Sequence, residues 1–390
     1  MTAKTLARLR LAEQRGDMTA GFALPFRNGP LRRPPAIRAG SKTRHAFYTL
    51  ETWLCTVMHR VSFLLYGSLL ALLIWVCAVG AQTEPVHLFF DGKDAYVEVP
   101  NDADFSVEPW GLTVSVWMKP AALTFPKTDG SDACEKFVHW LGKGDVYPPP
   151  DGEQQEWVFR IYSLNPNCPT ANPALRNPRQ NRISFYVFNK KRPEGRPSNL
   201  GVGSYFQDPA EPVKAGDWIH VVGVAYYYDG VDENGLTAIY KNGEFKDCDN
   251  YRGITGVRLY NRTCNIGRWP PPTNDPIVIT PEHGRAPVRM GTRDGVRPDG
   301  TIRDDRSFFL GGLARVRIWN RPLDRDEVNG LFRAERCLFY PTDPSAVCDG
   351  EVPPGDLVAE WLLNEETGTT AFDPIRGHDG TIFGAFRPVR

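Results

Sequence analysis

The side chains in this chain best suited to acid–base or metal chemistry are acidic, and their spacing mostly uses them up locally. Asp294, Asp299, Asp304 and Asp305 are interleaved with Arg293, Arg297, Arg303 and Arg306, which predicts a solvated loop that pairs its own charges. Asp229 to Gly235 (DGVDENG) falls short of an EF-hand loop, lacking the first acid and the terminal Glu, and reads as a turn. Glu98, Glu156 and Glu360 are isolated acids on otherwise apolar stretches, and the close carboxylate pairing that glycoside hydrolysis needs has no matching pattern. No GxSxG elbow occurs, and no two histidines have HExxH spacing. His220, within DWIHVVGV, reads as structural. No catalytic set emerges. Two surface signals remain. One is the Asn261-Arg262-Thr263 sequon, which matters only in a glycosylating host. The other is Trp269, followed by three prolines in a stiff loop that can present its indole to a sugar; Trp269 is the candidate ligand contact.

The elements that would position such groups are strands. Leu313 to Asn320 alternates, with Ala314, Val316 and Ile318 on one face and Arg315, Arg317 and Trp319 on the other. Pro322 ends it. Asp324 and Glu327 then form a capping box, Leu323 can staple onto Val328, and a short helix is predicted to about Phe332. Leu236 to Phe245 reads as a hairpin whose Asn242-Gly243 supplies a type I′ turn. Ile183 to Phe188 is a further strand, and Trp117, Trp218 and Trp361 read as packing residues. Strand signals recur from Leu88 to Ile318 with hardly any helical period, which predicts an antiparallel sandwich. Residues 165–182, 190–216 and 268–287 are connections longer than compact domains usually hold, which marks them as functional or disordered.

The front of the chain differs. Val61 to Ala81 is an uncharged apolar run that begins after His59 and Arg60 and ends in small residues, so residues 58–81 read as a signal peptide cleaved after Ala81. Its length also suits a membrane span, which would make it a signal anchor if translation starts at Met1. Residues 1–57 then read as a disordered or mis-assigned extension, with Met58 the preferred start. Residues 1–60 hold 11 Lys or Arg against 3 Asp or Glu, so the rest of a formally neutral chain is acidic. An acidic body argues against nucleic acid as a partner. Six cysteines follow the signal, and an exported chain is expected to oxidise them. Many connectivities are open. Pairing between sequence neighbours is the expectation: Cys337 with Cys348 first, then Cys248 with Cys264 and Cys134 with Cys168.

Several segments together resemble a known family. FDGKDAYVEVP (Phe90 to Pro100), TVSVWMKP (Thr113 to Pro120), DWIHVVGV, IYKNGEF (Ile239 to Phe245), the Phe309 to Phe332 stretch and VAEWLLNEETGTTAFDPIRGHDG (Val358 to Gly380) are similar to the laminin-G-like jelly-roll domains of the concanavalin A-like superfamily. That resemblance implies an all-β jelly roll of two antiparallel sheets over residues 84–390. The last segment opens the domain in most relatives, so its place here implies a circularly permuted fold or a second repeat cut short; permutation is preferred because Phe90 would otherwise start a domain lacking an edge strand. Relatives often hold one Ca²⁺, and the matching positions are Asp91 and Asp373, with carbonyls around Gly377. Ala314 stands where relatives carry a third acid, which weakens that site. The function implied is an exported, extracellular, non-enzymatic module that binds a carbohydrate or a protein surface, with calcium as an assisting ion. Membrane contact is expected only if residues 61–81 stay uncleaved. The alternatives are a membrane-anchored adhesion protein and a polysaccharide-active enzyme with an unfamiliar site.

Overall fold

In the computed structural model the described residues are 85–130, 135–145, 154–164, 181–189, 200–208, 210–227, 235–268 and 275–387. They lie within one compact unit, residues 79–390. The strands are β1 (Leu88–Asp91), β2 (Tyr96–Val99), β3 (Leu112–Pro120), β4 (Phe137–Lys143), β5 (Trp157–Tyr162), β6 (Ile183–Phe188), β7 (Gly201–Phe206), β8 (Ile219–Tyr226), β9 (Leu236–Lys241) and β10 (Glu244–Asn250). After them come β11 (Arg258–Leu259), β12 (Arg262–Thr263), β13 (Asn265–Ile266), β14 (Val288–Met290) and β15 (Leu310–Trp319). Helix α1 (Arg325–Phe339) precedes β16 (Leu357–Trp361), β17 (Thr370–Ala371) and β18 (Gly380–Phe383).

One sheet runs β1-β15-β3-β8-β9-β10-β13, with β16 also on β15; the other runs β17-β18-β2-β14-β4-β5-β6-β7. The chain passes back and forth between them, which makes a jelly-roll sandwich. Alternation along β3 explains the layering: Leu112, Val114, Val116 and Met118 enter the core between the sheets, while Trp117 faces outward into a cluster with Trp218, Ala314 and Phe339. Trp117, Trp218 and Trp361 are all buried, as expected of packing residues. The predicted hairpin is present, and Asn242 (φ 52°) and Gly243 (φ 78°) both take the left-handed angles of a type I′ turn.

The capping box forms. Asp324 accepts from the backbone of Asp326 and Glu327, and Glu327 accepts from the Asp324 N–H. Replacing Asp324 by Ala is expected to cost about 1 kcal/mol, read as a shift in the urea midpoint with unchanged slope. The helix runs to Phe339 rather than Phe332, because Leu331, Glu335 and Phe339 continue its buried face past the expected end. The alternation in β15 also needs correcting. Arg315 sits at φ 50° in a bulge, where the pairing with β3 shifts between Ala314 and Arg317. Val316 and Ile318 therefore face the inter-sheet core, whereas Ala314 faces the helix side beside Trp117 and Phe339.

The C-terminal segment pairs into this sandwich. β16 pairs with Val316–Trp319 of β15, and β18 pairs with β2, covering the edge that would otherwise be bare. Phe386 and Phe89 exchange backbone hydrogen bonds (2.7 and 3.0 Å), so the two ends of the domain meet. Cys248–Cys264 and Cys337–Cys348 form disulfides as expected. Cys134, Cys168, Trp269, residues 61–81 and most of the DGVDENG turn lie outside the described residues.

Candidate ligand-binding cavity

The outer face of β2, β14 and β18 carries the chemistry. In Tyr96-Val97-Glu98-Val99 the period of two sends Val97 and Val99 into the core and leaves Tyr96 and Glu98 outside. Register then adds partners from distant sequence: Phe383 of β18 lies opposite Tyr96, and Arg289 of β14 lies opposite Glu98. The Tyr96 and Phe383 rings stack at 4.5 Å and 13°, yet Phe383 remains 41% exposed. Arg289 donates through Nε to Glu98 (2.7 Å) and through Nη1 to Asp145 (2.9 Å) and the Arg293 carbonyl (3.0 Å). Its Nη2 has no acceptor among the described residues. Burial opposes the Arg289 charge, but Asp145 and Glu98 outweigh it and hold the guanidinium protonated; burial, then Glu98, pushes the Tyr96 phenol up.

A turn supplies the wall. The Gly300 N–H bonds the Arg297 carbonyl and the Arg297 N–H bonds that of Thr301, with Gly300 at φ 85° and Asp299 accepting from Thr301. The resulting half-open cavity is about 630 Å³ and is lined by this turn together with Asp94, Tyr96, Glu98, Arg289 and Phe383. That volume is typical of small-molecule sites. Another cavity, about 700 Å³, lies by Trp218, Lys241 and Tyr340, and two of its lining groups are tied to backbone carbonyls. Tyr340 donates to the Trp218 carbonyl and Lys241 to that of Glu211.

The expected calcium ligands are not brought together. Asp91 pairs with Leu310 at one end of β15, while Asp373 binds the backbone of Glu360, which pairs with Arg317 near the other. Seven residues of strand, about 20 Å, separate those positions. Each carboxylate folds its own loop: Asp91 accepts from the N–H groups of Lys93, Asp94 and Ala95, and Asp373 from those of Glu360, Ile375, Arg376 and His378. These bonds lower both pKa values against the opposing effect of burial. Gly377, at φ 76°, donates to the Asp373 carbonyl in the same turn. The donor set does not fit one ion shared by the two acids.

The Arg-rich acidic stretch is only partly solvated. Asp294 is buried, bonded to Arg293 (2.9 Å) and facing His139. His139 is within reach of both Asp129 (3.2 Å) and Asp294 (3.7 Å) through Nδ1. Arg160 donates to the other ring nitrogen, Nε2, so the imidazole is neutral and its proton sits on Nδ1. That tautomer leaves no lone pair for a metal between the acids. Burial, reinforced by Arg293, lowers the His139 pKa; Asp294 is held well below the carboxylate range because Arg293 and His139 overcome its burial. Asp102, Asp104 and His378 also converge, but Arg376 takes Asp104 and the Asp104 N–H takes Asp102. The three isolated acids each have a basic partner: Glu98 with Arg289, Glu156 with Lys143 and Glu360 with Arg317.

No model of a protein family matches the sequence, and no curated protein sequence matches it. Among solved structures the chain is similar to a heptameric SAP-like pentraxin of Limulus polyphemus, with 15% identity over 78% of this chain and 95% of that one at a TM-score of 0.40. It is also similar to a putative carbohydrate binding protein of Bacteroides ovatus (13% identity, 78% of this chain and 60% of that one, TM-score 0.38). Mouse laminin alpha1 domains LG4-5 match at 12% identity over 62% of this chain and 44% of that one, TM-score 0.30. The likeness is one of fold. The jelly roll's cavity was not marked in the sequence as a site, although Tyr96 and Glu98 stand two apart on one strand face.

Proposed function

We propose that this jelly roll is an extracellular, non-enzymatic carbohydrate-binding module and that the β2–β14–β18 cavity receives the sugar. The observation that carries this is the half-open Phe383 ring, braced by Tyr96, beside the Glu98–Arg289 pair. An aromatic face takes the C–H side of a pyranose, and neighbouring donors and acceptors take its hydroxyls. The two disulfides support an oxidising compartment.

Glycan-array screening followed by calorimetry tests the reading. Phe383→Ala is expected to weaken binding at least tenfold while leaving the melting temperature nearly unchanged, because the ring is already partly in solvent. Binding is expected to survive chelation by EDTA, since the Asp91 and Asp373 carboxylates are bonded to separate loops. Absence of any glycan signal at millimolar concentration overturns the proposal.

A further inference from the structure

We propose that this cavity, if it binds glycans as proposed above, selects neutral sugars and turns away those bearing a carboxylate. The polar groups facing it are unbalanced in two respects. The first is charge. Asp94, Glu98 and Asp299 line the cavity against Arg289 and Arg297. The Arg289 charge is already matched by Glu98 and by Asp145 behind it. Arg297 spends Nη1 on the Thr301 hydroxyl (3.4 Å) and the Ile302 carbonyl (3.2 Å), and no carboxylate pairs with it among the described residues. The Asp94 carboxylate has no cationic partner there either. An entering anion therefore meets a net negative surface.

The second imbalance is in hydrogen bonding. Glu98 and Asp94 only accept, and Asp299 Oδ1 is occupied by the Thr301 N–H and hydroxyl. The donors left for a ligand are the Tyr96 hydroxyl, Arg289 Nη2 and the remainder of the Arg297 fork. A sugar hydroxyl both gives and takes a hydrogen bond, so it can satisfy these acceptors and donors in turn. A carboxylate only accepts. It could take those donors but would leave Asp94 and Glu98 facing like charge while dehydrated. The Tyr96–Phe383 stack adds an apolar floor that suits a pyranose C–H face equally for every hexose, so it does not decide the charge class.

Calorimetry on the exported domain with lactose, cellobiose and mannobiose, against 3′-sialyllactose and a glucuronic-acid disaccharide, tests this. The neutral set is expected to contain a ligand bound at least tenfold more tightly than either acid. Asp94→Asn is expected to narrow that gap several-fold by strengthening the acidic sugars. Acidic sugars that bind as tightly as neutral ones, and lose affinity in Phe383→Ala, overturn the selectivity while the glycan-binding reading stands. A gap unchanged in Asp94→Asn also overturns it. If no sugar of either class binds, the glycan-binding reading itself falls.

Discussion

Trp361→Ala is expected to destabilise the domain by about 3–5 kcal/mol, the range for emptying a large aromatic from a core. The indole is fully buried, lies opposite Val316 on β15, and packs 5.8 Å from the Phe105 ring. Its Nε1–H donates to the His378 carbonyl (2.8 Å), so truncation also strips a partner from the loop that Asp373 organises. A domain stable by about 5–15 kcal/mol loses a large part of its margin, and its melting temperature should fall by roughly 10 °C. Calorimetry or urea titration decides. A variant that melts like the parent would mean that the C-terminal segment stands outside the core.

Glu335→Ala is expected to cost a similar ~3–5 kcal/mol by a different route, the loss of one partner in a buried ion cluster. Glu335 Oε1 accepts from Arg317 (2.7 Å) and Arg315 (2.9 Å), and Oε2 accepts from the Trp117 indole (2.8 Å). Arg317 is 2% exposed and would keep only Glu360 (2.5 Å). The cluster also sets the acid limb. Burial would raise the Glu335 pKa, but Arg317 and Arg315 outweigh it and hold it below 4.5, so its contribution is complete above that pH and fades as the pH falls through the lowered value. His220, packed beside the Trp117 and Phe332 rings, has its pKa pushed down from 6.5 to about 4, first by burial. The unfolded chain takes up that proton between pH 6.5 and 4 while the folded one does not, so stability falls with pH through that window. Urea midpoints from pH 7 to 4 should drop less steeply in His220→Gln than in the parent. Equal slopes would remove His220 from the account.

Local features were legible and distant ones were not. The capping box and the Asn242-Gly243 turn depend on residues three apart or adjacent, so their chemistry is readable in one line of sequence. The two described disulfides were readable because each closes a short loop. The bulge was hidden because it places a non-glycine, Arg315, at positive φ inside an alternating strand, which moved Ala314 to the opposite face. Asp294 looked solvated because the His139 and Arg160 that surround its site come from other strands. The cavity was hidden for the same reason: Phe383 meets Tyr96 only through the β2–β18 register. Glu98 looked isolated until Arg289 arrived from β14.

The meeting of Phe89 with Phe386 has a mechanical meaning. The two segments run antiparallel with rings 4.9 Å apart, and both chain ends leave from the same end of the pair. Tension between the ends therefore peels the two hydrogen bonds in succession instead of shearing them together, a geometry that yields at low force. From the N-terminal side, the next element to carry the load is β1, whose four pairs with β15 form a longer ladder than the clasp. The clasp should thus be the first contact to yield when the domain is stretched end to end.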